Sequence, residues 1–98
     1  MAVEVHVEGR VAAGRLPDFV EGVKRYSEYA AAHGYAQPKV LLGLSGDMNT
    51  VRLVYTYPEL GAYEEHEARA ATDREYGQVA MGMALVEGTI RYSIYRVL

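Results

Sequence analysis

The chain has 98 residues, half of them hydrophobic and 23% charged, a composition that suits one domain spanning residues 1–98 and excludes disordered and fibrous classes. Ten Lys and Arg against thirteen Asp and Glu give a net charge of −3 with the basic residues scattered, so no phosphate-binding surface is predicted and nucleic acid is not an expected partner. Cysteine is absent, which removes disulfides, thiol nucleophiles and thiolate zinc sites; no apolar run is long enough to cross a bilayer, so a cytoplasmic protein without membrane attachment is expected.

Residues 2–12 alternate as a two-faced strand, with Val3, Val5 and Val7 on one side and Glu4, His6 and Glu8 on the other. After Gly14, the residues Leu16, Phe19, Val20, Val23, Tyr26, Ser27 and Ala30 fall at helical spacing. Pro17 and Asp18 suit the first turn of that helix, and Gly34 sits where a left-handed cap would stop it, just after His33, which complements the negative end of the dipole.

Val40–Ser45 and Thr50–Tyr57 read as two strands of a hairpin joined by Gly46, Asp47, Met48 and Asn49. Thr56 and Glu59 have capping-box spacing around Pro58, and Leu60, Tyr63, Glu67 and Ala70 share a stripe, which predicts a second helix beginning near Pro58. Thr72 and Glu75 repeat the spacing and predict a short helix within 73–86, weakened by Gly77 and Gly82. Residues Thr89–Val97 alternate again and give the last strand.

Two interleaved strand-helix-strand units with right-handed crossovers give an α+β, ferredoxin-like βαββαβ fold, a four-stranded antiparallel sheet with the first and third strands central. Val3, Val5, Val7, Val40, Leu42, Leu44, Val51, Leu53, Tyr55, Ile90, Tyr92 and Ile94 are expected beneath the helices. The opposite, mostly polar face has no helix left to cover it. Val40, Leu41 and Leu42 make the second strand an apolar edge, and a homodimer is the expected cover.

The run Asn49–Tyr57, the run Leu60–Ala68 and the segment Asp73, Arg74, Glu75, Tyr76 resemble the NIPSNAP family of the dimeric α/β-barrel superfamily. That family shows an Asn opening the third strand, an aromatic ending it, and an Asp-Pro-Glu-Trp-like segment after the helix. Here Arg74 replaces the Pro and Tyr76 the Trp. The resemblance implies two sheets paired face to face around an interior that holds small ligands. Superfamily members that degrade haem or act as cofactorless oxygenases depend on an Asn, Trp and His set, and this chain has no Trp.

On the polar face, His6 between Glu4 and Glu8 is the candidate catalytic base, since a neighbouring carboxylate orients an imidazole and favours its charged form. Cross-strand pairing of Glu4 and Glu8 with Arg52 and Arg91 is the simpler and favoured reading. In an enclosed face Arg52 and Arg91 would hold a ligand anion.

His66, beside Glu64 and Glu67, misses the two-His metal spacing and reads as part of a solvated helix face, so no metal is expected. Nine tyrosines stand against one Phe, and Tyr55, Tyr57, Tyr76, Tyr92 and Tyr95 can ring a cavity with Met81 and Met83 at its mouth. With Glu4, Glu8, Arg52 and Arg91, the tyrosines Tyr76 and Tyr95 complete the expected ligand-binding set. No phosphate loop, nucleophile elbow or haem-attachment motif is present, so no cofactor is expected. The favoured function is a homodimeric binder of a small apolar or aromatic metabolite; the alternative is a cofactor-independent monooxygenase or isomerase of an aromatic or polyketide-like compound, with His6 as base.

Overall fold

The computed structural model describes all of residues 1–98. Its elements run β1 (Val3–Arg10), α1 (Leu16–His33), β2 (Lys39–Leu42), β3 (Thr50–Tyr57), α2 (Leu60–Ala71), α3 (Arg74–Met81) and β4 (Arg91–Arg96). The strands form one antiparallel sheet in the order β2-β3-β1-β4, so the α+β ferredoxin-like arrangement read from the sequence is present, with β1 and β3 central. No helix is long and apolar enough to cross a membrane.

Alternation along β1 sorts its side chains as expected: Val3, Val5 and Val7 are buried, while Glu4, His6 and Glu8 are partly open. Val51, Leu53, Tyr55 and Tyr57 of β3 bury their side chains on the same side, against Phe19 and Tyr26 of α1 and Met83. Phe19, Gly22, Tyr26 and Ala30 form the buried stripe of α1, three to four residues apart as one helix face requires. Gly34 ends the helix in the left-handed conformation at φ 72°, its N–H bonded to Ala30 O, as its position in the sequence predicts.

Four expectations about the elements need correction. Strand β2 stops at Leu42, and Leu44 stands 92% exposed. Residues 43–49 form a loop instead, tied down by Arg10 paired with Asp47 and by Asn49 N–H donating to Asp47 Oδ1 at 3.1 Å. Second, α2 starts after Glu59, whose side chain makes no capping bond; the expected Thr56–Glu59 box does not form because Thr56 is still paired with Glu4 in the sheet. Third, α3 is capped by Asp73, whose carboxylate accepts from Tyr76 N–H, rather than by Thr72, and it ends at Met81, short of the expected range.

The fourth correction concerns β4. Ile90, Tyr92 and Ile94 were expected beneath the helices but are 41%, 68% and 48% exposed. The helices pack over the centre of the sheet, and every residue of β4 is exposed.

The approach of α1 to the turn after α3 depends on Gly22. A Cβ there would come within 2.3 Å of Gly82 O and 2.8 Å of Met83 Cα, both backbone atoms that cannot swing aside. Gly→Ala inside a helix ordinarily stabilises by up to about 1 kcal/mol; here Gly22→Ala is expected to destabilise by about 1–3 kcal/mol through overpacking. Urea unfolding measures this, and a variant as stable as the parent would refute the close contact.

Candidate functional site

One cavity, about 350 Å³, lies between the helices and the sheet. Its floor is Val5, Val7, Leu53 and Tyr55, its roof comes from Tyr63, His66 and Ala70 of α2 and Tyr76 and Ala80 of α3, and Tyr92 of β4 closes one side. Three rigid rings joined through their hydroxyls stand beside this space: Tyr26 Oη of α1 lies 2.6 Å from Tyr55 Oη of β3 and 2.7 Å from Tyr76 Oη of α3, and the Tyr26 and Tyr76 rings pack edge-on at 5.6 Å. Burial pushes all three phenols well above the usual tyrosine range, so they stay neutral and serve one another as donor and acceptor.

A second knot fixes the start of α3. The Asp73 carboxylate accepts from Tyr35 Oη at 2.7 Å, from Tyr29 Oη at 2.8 Å and from Tyr76 N–H at 3.1 Å. These bonds, that of Tyr35 first, hold its pKa down at about 2. The Tyr35 ring is held in turn by the Arg69 guanidinium, 4.1 Å from its centre, and Arg69 also donates to the carbonyl of His33 at the end of α1.

His66 is the polar residue at the centre of this aromatic wall. Its ring lies 5.3 Å from that of Tyr35, 5.6 Å from Tyr57 and 5.9 Å from Tyr76. Burial lowers its pKa, opposed by the nearby Glu67 carboxylate, so the neutral imidazole is favoured. The solvated helix face expected for His66 is therefore a correction: it turns inward beside Tyr63 and Ala70, which sit three residues before and four after it on α2. That spacing is the signal that could have found it; Tyr35, in the loop after α1, carries no comparable signal.

The residues singled out from the sequence divide between the two faces of the sheet. Tyr76, Tyr55, Tyr57, Tyr92 and Met83 line the cavity, whereas Met81 is 83% exposed. Glu4, His6, Glu8 and Arg52 gather on the opposite, open face. There Arg52 donates to His6 Nδ1 at 3.1 Å and pairs with Glu8, His6 Nε2 lies 2.9 Å from Glu4 Oε1, and Tyr95 packs edge-on against His6 at 4.8 Å. The Arg52 bond makes Nδ1 an acceptor and leaves the His6 proton on Nε2, facing Glu4. Arg91, opposite Glu8 in register, is exposed. No group of three or more His, Asp or Glu side chains is arranged to hold a metal ion.

Solved structures share this fold. A NIPSNAP family protein from Agrobacterium tumefaciens superposes with a TM-score of 0.77 at 15% identity, covering 98% of this chain and 92% of that one. An uncharacterized NIPSNAP domain protein from Burkholderia xenovorans gives 0.76 at 19% identity, covering 100% and 95%. A candidate antibiotic biosynthesis monooxygenase from Bordetella bronchiseptica gives 0.73 at 15% identity, covering 99% and 97%. No protein-family model matches the sequence, and no curated protein matches it. The fold is thus NIPSNAP-like, as the motifs around Asn49–Tyr76 suggested.

The Asp73 knot sets an acid limit. A carboxyl whose folded pKa is depressed from 3.8 to about 2 adds stability that is complete above its unfolded pKa and lost as pH falls through the folded one. Wild type should therefore lose stability between about pH 4 and about pH 2. Asp73→Asn should be less stable at neutral pH and show a shallower loss across that window. Equal acid slopes in urea unfolding of the two proteins would contradict the assignment.

Proposed function

We propose that the protein is a homodimer that binds a small, flat, largely apolar aromatic molecule in the cavity beneath α2 and α3. The observation that carries this reading is the cavity itself. About 350 Å³ falls within the roughly 300–1,000 Å³ of small-molecule sites, and its wall is aliphatic and tyrosine faces with a buried imidazole. Aromatic faces favour stacked and edge-on partners over aliphatic ones.

The dimer part of the proposal rests on unpaired apolar surface. Both edge strands are open: Leu41 and Leu42 of β2 are 43% and 42% exposed, and Ile94 and Tyr95 of β4 are 48% and 50% exposed. Such edges invite a second chain, and pairing the open faces of two sheets would cover Leu41 and Tyr95 together with the Glu4, His6, Glu8 and Arg52 network. Turnover with His6 as base has less support, because each of its ring nitrogens already faces a partner, Arg52 or Glu4.

Naphthalene is the probe for the cavity. Wild type should bind it, and Ala80→Phe, which adds a ring where Ala80 now borders the space, should weaken binding at least about tenfold, equivalent to roughly 1.4 kcal/mol, while remaining folded by circular dichroism. Wild type that binds neither naphthalene nor its hydroxylated analogue 1-naphthol would overturn the reading. For the dimer, sedimentation should give about twice the 10.9 kDa subunit mass, and Leu41→Asp should shift it toward the monomer; a monomer at all concentrations would refute that part.

A further inference from the structure

His66 carries an unmet chemical requirement. Its side chain is 9% exposed, and neither ring nitrogen has a hydrogen-bond partner. The nearest carboxylate oxygen, Glu67 Oε1, is 3.6 Å from Nδ1, beyond hydrogen-bonding range. Buried polar groups are nearly always paired, and an orphan is costly enough to require an explanation. No other buried side-chain nitrogen or oxygen in the chain lacks a partner.

The surroundings of His66 offer nothing inside the protein to fill that role. The hydroxyls of Tyr55 and Tyr76 bond to that of Tyr26 and that of Tyr35 bonds to Asp73, and neither these nor the Tyr57 hydroxyl bonds to His66. The Arg69 guanidinium is occupied over the Tyr35 ring and at the end of α1. An imidazole in its uncharged form offers one acceptor and one N–H, and His66 borders the cavity that its tyrosine neighbours wall.

We propose that His66 is the polar anchor of this cavity, accepting a hydrogen bond from the hydroxyl of a phenol or enol whose flat ring lies among the tyrosine faces. The inference rests on the cavity being an aromatic-ligand site and adds the functional group that the site selects. An apolar pocket with a single buried acceptor discriminates between ligands that differ only by one hydroxyl, because a ligand without it leaves the acceptor unpaired. His66 thereby turns a general aromatic pocket into one that selects hydroxylated rings.

The test compares 1-naphthol with naphthalene, two probes that share a ring system and differ by the hydroxyl, using fluorescence titration of wild type, His66→Leu and His66→Gln. Wild type should bind 1-naphthol about tenfold more tightly than naphthalene. His66→Leu should erase that preference, and His66→Gln, which retains an acceptor, should keep part of it. On wild type alone, the ¹⁵N resonances of the His66 ring should move with 1-naphthol and stay in place with naphthalene. Equal affinity for the two probes with unmoved ring resonances would overturn the role of His66 and leave the aromatic cavity standing. Failure of both probes to bind wild type would overturn the cavity reading and this inference together.

Discussion

Three tyrosine hydroxyls meeting at Tyr26 set the distance between the helical layer and the sheet. A core of aliphatic side chains would let α3 settle until its backbone approached the strands. Here the Tyr26 hydroxyl bonds those of Tyr55 and Tyr76 at 2.6 and 2.7 Å, with the Tyr76 ring edge-on to that of Tyr26, and a buried hydroxyl that lost its partner would cost about 1–3 kcal/mol. The layers are held apart by the length of the rings, and the space beside the triad is the cavity. Asp73 extends the same logic to the start of α3, where one carboxylate gathers Tyr29, Tyr35 and the Tyr76 backbone.

The sheet keeps two chemistries separate. On the helix side the polar groups are mostly tyrosine hydroxyls, those of Tyr26, Tyr55 and Tyr76 bonded to one another, with the imidazole of His66 among them. On the open side, Glu4, His6, Glu8 and Arg52 form a partly solvated charge network, where each exposed pair adds little stability. Within the network both ring nitrogens of His6 face a partner, and Arg52 reaches His6 and Glu8 at once. Those two roles follow from one alternating strand, β1, which sends its valines to one side and its charges to the other.

The order of elements, the sheet topology and the central strands were legible in the sequence, because strict alternation in β1 and β3 and the spaced apolar face of α1 leave little choice of architecture. What escaped was set by tertiary packing. Tyr92 and Ile94 have the same alternation as buried strand residues, yet β4 lies beyond the edge of the helical layer; the lateral reach of short helices is not written in a period of two. The solvated face expected for His66 failed for a related reason. Its charged neighbours Glu64 and Glu67 dominate a local reading, and the stripe expected through Leu60, Tyr63 and Ala70 includes Glu67, whereas His66 at 9% exposure takes the inward place and Glu67 is 56% exposed. Tyr35 was invisible, since its role comes from Asp73, Arg69 and Tyr76, all distant in sequence.

Mapping where an aromatic molecule sits separates the two faces most directly. In a titration of isotopically labelled protein with 1-naphthol followed by NMR, the account predicts intermolecular NOEs from the ligand ring to Val5, Leu53, Tyr55, His66 and Tyr76. Contacts confined instead to Glu4, His6, Arg52 and Tyr95 on the open side of the sheet would contradict it.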